Sequence, residues 1–171
     1  MRYVVAMMLI VLTILDMTVA RVSFADEPLS MGRESLQGLP GVSVLIEHIS
    51  PEARADGLSK EAIRTSVELI LRASGILVTT EKKAVQHALP LLYVRINAAK
   101  VGPKLYAYCT DVQLEQMVSL RKHPERATYA TTWSSASIVG TLLRSNVRNT
   151  IIEAELLTKQ FANDFLAVNP W

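Results

Sequence analysis

The chain has 171 residues, half of them hydrophobic, with 18 basic and 16 acidic side chains and a formal net charge of +2. That near-balance argues against nucleic acid or an anionic membrane surface as an obligate partner, since both reward a basic excess. One cysteine, Cys109, excludes an intramolecular disulfide framework.

The first 25 residues read as an export leader. Arg2 is a short positive start, residues 4–15 form a run that is apolar but for Thr13, and Ser23 and Ala25 place small residues at the −3 and −1 positions of a cleavage site. A bilayer-spanning helix needs about twenty apolar residues, so this run is short for an anchor, the competing reading. Cleavage after Ala25 makes the mature chain periplasmic or secreted, with no membrane span left. The expected division is a signal peptide over 1–25, a flexible polar arm over 26–38 and a single domain over 39–171.

At Gly41 the character changes. Val42, Val44 and Ile46 alternate with Ser43, Leu45 and Glu47, as a strand with one apolar face does. Ser50 and Pro51 end it and open a polar connection. The next helix has a readable start: Ser59 is a good N-cap, Glu61 lies in the first turn, and Leu58 and Ile63 have the spacing of a hydrophobic staple. Ile63, Val67, Ile70 and Leu71 keep one side apolar, and Gly75 stands where a left-handed C-terminal residue is wanted. Ile76, Leu77 and Val78 then begin a second strand, and residues 79–89 form a polar connection.

Residues 91–136 hold three alternating segments separated by short turns, an antiparallel meander around which the rest is organised. Leu92, Val94, Ile96 and Ala98 share one face of the first segment, and Leu91, Tyr93, Arg95 and Asn97 the other. In the second, Tyr106, Tyr108, Thr110, Val112 and Leu114 oppose Ala107, Cys109, Asp111, Gln113 and Glu115. In the third, Tyr129, Thr131 and Trp133 alternate with Ala130, Thr132 and Ser134. Clean alternation means that one sheet face is core and the other meets water or a partner. A long helix is expected from Ser145 or Asn146, with Val147, Ile151, Ala154, Phe161, Phe165 and Val168 on its apolar stripe and Thr158 interrupting it. The layer rule then gives an α+β fold: a mixed, mainly antiparallel sheet of about five strands, with two main helices packed on one face.

Chemistry is sparse. His48, His87 and His123 are far apart and lack metal-ligand spacing. The glycines form no phosphate loop, and Ser134–Ser135 has no nucleophile-elbow context. Glu153 and Glu155 are two apart on a helix and point in different directions, and Asp111 and Glu115 share a strand face about 13 Å apart, too far for a glycosidase-like pair; all four read as solvated. No catalytic residue, metal site or cofactor is assigned. The basic turn from Arg121 to Arg126 reads either as a solvated tip or as an electrostatic contact. Cys109 reads as a small buried hydrophobe or as an intermolecular thiol. Tyr93, Arg95, Asn97, Tyr129 and Trp133 are the candidate partner- or ligand-binding set, because Tyr, Trp and Arg dominate binding hot spots. Trp133 has a second reading, as a core residue under the C-terminal helix.

The phrases GVSVLIEHISPEA, VELILRASGILV, LYVRINAAK, YAYCTDVQLEQMVSL, ATTWS and FANDFLAVNP resemble a group of small exported bacterial proteins of unassigned function, over residues 36–170. More distantly, the helix followed by SGILV, a meander and a long helix looks like the α/β modules of envelope-assembly proteins, the TolB N-terminal domain and the curli secretion lipoprotein. The resemblance carries no catalytic motif; with the open sheet face, the expectation is a non-catalytic interaction module of the cell envelope that binds an envelope protein or the chain itself through that face or an edge strand. The competing expectation is a periplasmic small-ligand-binding domain, with Tyr93, Arg95 and Trp133 around a cleft.

Overall fold

In the computed structural model, which describes residues 32–80, 82–83 and 87–170, the meander is the centre of the molecule. The leader and residues 26–31 of the expected arm lie outside the described residues. Six strands form one mixed, open sheet: β1 (Val42–Ile46), β2 (Val78–Thr79), β3 (Leu91–Gly102), β4 (Leu105–Leu120), β5 (His123–Ser134) and β6 (Ile138–Leu143). Their order is β2-β1-β3-β4-β5, with β6 also on β4. β1 is parallel to both β2 and β3, and the remaining pairs are antiparallel.

The sixth strand was not expected, yet it leaves five strand positions across the sheet. β5 pairs with residues 113–120 of β4 and β6 with residues 105–110, so both occupy the same edge. The Ser135 side chain accepts from the Val112 amide, and the Ser135 amide donates to the Val112 carbonyl, bridging the irregular joint between them. Gly140 within the short IVGTLL run masks this strand's alternation in the sequence.

Among the described residues, three helices stand beside the sheet. α1 (Pro51–Ala55) lies in the segment expected as a polar connection; Ser50 caps it, accepting from the Ala53 amide. α2 (Lys60–Ala73) begins as expected, with Ser59 accepting from the Ala62 amide and with Leu58 and Ile63 both buried. Gly75 takes the left-handed conformation after its last turn, φ 76°. The long helix α3 (Thr150–Val168) starts later than expected, because Arg144–Asn149 forms a 3-10 segment first.

α2 and α3 pack on each other and on the same sheet face, so apolar side chains at helical spacing meet apolar side chains at strand spacing. From the sheet come Val42, Val44, Leu92, Val94, Val112 and Leu114; from the helices come Ile63, Val67, Leu71, Ala154 and Phe161. Thr158, the polar interruption, is buried and satisfied by donating to the Ala154 carbonyl at 2.7 Å.

The end of the expected arm is part of the domain. Arg33–Leu36 forms a 3-10 turn whose Leu36 is fully buried. Gly32 enters it at φ 105°, and a Cβ there would stand 1.9 Å from the Thr132 carbonyl oxygen, so only glycine fits.

Candidate functional site: the open sheet face and its edge

The registers place residues in rows across the sheet face opposite the helices. Leu45, Tyr93 and Gln113 make one row, Arg95 and Asp111 the next, then Asn97, Cys109 and Val139, then Ala99, Ala107 and Thr141. Leu105 and Leu143 close the series. Among the described helices, none packs on this face.

The rows divide into two chemistries. Around Tyr93 the face is polar and internally paired. Arg95 donates twice to Asp111, at 2.8 and 3.0 Å, and has Glu47 at 4.0 Å. The fork-on-carboxylate geometry raises the Arg95 pKa further above its already high ordinary value. Burial and the hydrogen bond to Glu47 push the Tyr93 phenol up as well. The Asp111 side chain is only 3% exposed, so it is a fixed support for Arg95 and not the solvated carboxylate expected.

Toward the Gly102 end the face is apolar. Val139 is 73% exposed and Leu143 56% exposed, beside the partly exposed Leu105. Cys109 is half-buried within this face and is not the core hydrophobe that one reading made it.

The candidate set therefore splits. Tyr93, Arg95 and Asn97 share the open face, and Tyr129, paired with Met117, lies on it further along. Trp133 does not. A β-bulge between Leu114 and Glu115 inserts Thr132 as an extra residue, which places Trp133 opposite Leu114 on the core face. There Trp133 is 1% exposed, donates its indole N–H to Asp164 at 2.9 Å and meets the Phe161 ring edge-on at 5.1 Å. The cleft of Tyr93, Arg95 and Trp133 is not formed, because the sheet itself separates them.

Sequence reasoning passed over several residues. Asp164, nearly buried, anchors Trp133 and takes an ion pair from Arg33 at 2.6 Å, tying the N-terminal 3-10 turn to α3. Its place between Phe161 and Phe165 in the apolar stripe was the available signal. Glu153 is not a solvated helix residue: it accepts from Tyr108 at 2.5 Å and Thr110 at 3.3 Å. That bond, with burial second, raises the Tyr108 pKa. Glu155 likewise accepts from Ser66. Asp56 accepts from Tyr106 at 2.7 Å and from Arg144 at 2.6 Å, and these two bonds, the Arg144 one first, hold its carboxyl below the ordinary value of 3.8.

An open cavity of about 750 Å³ lies beside Asp56, between α1 and the Pro103–Lys104 turn. Its size suits a small ligand. Of its four charged side chains, Asp56 and Arg144 are spent on each other and Arg148 on the Gly57 carbonyl, leaving Lys104. Among the described residues, no group of three His, Cys, Asp or Glu side chains is placed to hold a metal ion. No described helix is long and apolar enough to cross a membrane.

The chain matches no family model and no curated protein. Among solved structures it is similar to a PelC dodecamer from Paraburkholderia phytofirmans, at 15% identity over 75% of this chain and 90% of that one, with a TM-score of 0.41. It is also similar to a minor lipoprotein from Acinetobacter baumannii, at 14% identity over 75% and 93% of the two chains, with a TM-score of 0.35.

Proposed function

We propose that this chain is an exported, non-catalytic interaction module of the bacterial cell envelope, which binds through its open sheet face and the adjoining edge. One observation carries the reading: beyond the hairpin tip at residues 123–126, the outermost strand position, residues 127–143, includes no charged residue and no proline. Natural sheets protect their edges with lysine, proline or a cover, because an open edge recruits another strand. On this edge charged residues and proline are confined to the hairpin tip, at Pro124, Glu125 and Arg126, and residues 127–143 have only the irregular joint at 135–137. Beside it lie the exposed Val139 and Leu143, apolar area of the kind that marks interaction sites. The leader-like residues 1–25 support export. The internally spent charges of the Asp56 cavity and the position of Trp133 weigh against a small-ligand domain.

The test is affinity capture of the tagged protein, expressed with its leader, from cross-linked cells. Wild type and the Val139→Lys/Thr141→Lys double variant are compared. The expected result is a defined protein, which includes the chain itself, recovered in near-stoichiometric amount with wild type. Recovery is lost with the double variant while its melting curve stays cooperative. Equal recovery from both proteins, or none from wild type, overturns the proposal.

A further inference from the structure

Resting on that reading, we propose that the partner at this edge is a second copy of the chain. β6 pairs antiparallel with β6 of the copy about a two-fold axis through Thr141, joining the two sheets into one.

The first ground is charge. An edge that selects a different protein gains specificity from complementary charges, whereas the β6 edge offers none to complement. Two copies meet there without like charges opposed. The nearest charged residue, Arg144, constrains the register. An axis at residue 144 would set the two Arg144 side chains directly opposite each other, and one at 143 would set them diagonally; like charges directly opposed across a sheet are destabilising. An axis at Thr141 sets each Arg144 against Ile138 of the copy.

The second ground is the match of faces. In a continuous antiparallel sheet, directly opposed residues project to the same side. The Thr141 axis opposes Thr141 to itself, and Val139 of each copy to Leu143 of the other. Val139 and Leu143 are the most exposed apolar side chains of β6, and both lie on the open face. Leu105 neighbours Leu143, and Cys109 neighbours Val139, so each apolar row runs on across the junction. An axis at Gly140 would instead oppose Ile138 and Leu142, which are already packed against their own core. A symmetric contact in which one patch serves both partners is the commonest way for identical chains to associate.

The arrangement keeps the two Cys109 residues three strand spacings apart across the sheet and four residues apart along it, about 20 Å in all, too far for a disulfide. Cys109 therefore plays no part in holding the pair.

Disulfide trapping tests the register. In a Cys109→Ser background, Thr141→Cys places two thiols directly opposite each other, within disulfide reach. Thr131→Cys in the same background, exposed on β5, is the control. Mild oxidation is expected to convert most of the Thr141→Cys chain, and little of the Thr131→Cys chain, into a reducible dimer. Light scattering of the wild type is expected to give twice the chain mass, and Thr141→Lys alone to give the chain mass with a melting curve that stays cooperative and no longer depends on protein concentration. Equal trapping at 141 and 131, or a wild type of single-chain mass at every concentration, overturns the second-copy inference. Were either result to occur while cellular capture still depended on Val139 and Thr141, the edge would stand as a docking surface for a different protein. Loss of both would remove the edge reading as well.

Discussion

At the scale of single residues, the interior is organised by a few carboxylates whose roles depend on what faces them. Asp164 is the clearest case. It joins Arg33, Trp133 and α3, and its removal leaves an indole N–H and a guanidinium without that acceptor. Asp164→Ala is expected to destabilise the fold by about 2–3 kcal/mol, since hydrogen bonds to charged groups contribute about 1.5–3 kcal/mol each and part of this set is exposed. Urea unfolding measures it; a loss no greater than that of an exposed control would contradict the role. Asp56 gives a pH signature instead. Its folded pKa is depressed by Arg144 and Tyr106, so its contribution is complete above its ordinary value of 3.8 and is lost as pH falls through the lower folded value. Melting temperatures measured downward from pH 5 are expected to fall more steeply for wild type than for Asp56→Asn. None of these partnerships was legible in the sequence beyond the polar interruption that Asp164 makes in an apolar stripe. They join residues 31 to 131 positions apart, and chain order says nothing of such pairs.

At the scale of elements, the helix signals and the strand alternation were readable because they are local. Ser59, Gly75 and the faces of β3 follow from chemistry within a few residues. The bulge at Thr132 was not readable, because a bulge is a relation between two strands. One extra residue sufficed to send Trp133 to the core while Tyr129 stayed on the open face. β6 was missed for a related reason: Gly140, the residue that weakens its pattern, is small because the Tyr108 ring lies over it. A Cβ at Gly140 would stand 2.9 Å from the Tyr108 hydroxyl oxygen. Gly140→Val is therefore expected to displace Tyr108 from Glu153 and to cost about 1–3 kcal/mol, as overpacking does. A structural strain alone would leave the phenol unchanged. Here the Tyr108 pKa, raised chiefly by Glu153, is expected to move back toward 10.0 in an ultraviolet titration. The far part of the β4–β5 hairpin, largely exposed on both faces from Met117 to Thr128, is expected to exchange its amides faster than the core strand β3.

At the scale of the whole molecule, one layer of helices covers one face of the sheet, and among the described residues the other face carries a network around Arg95 and an apolar end around Val139. The α+β class and the two-helix layer were legible from period alone. The location of the interaction surface was only half legible: the open face follows from alternation, but the exposed edge depends on β6. The central claim is that this edge is a docking strand. Hydrogen exchange of the β6 amides tests it most directly, because in an edge strand alternate amides point away from the sheet and lack a partner. The account predicts that residues 138–143 are protected throughout in concentrated protein. On dilution alternate amides become fast, while those of β3 stay slow. An alternating pattern that is the same at every concentration would contradict self-pairing at this edge.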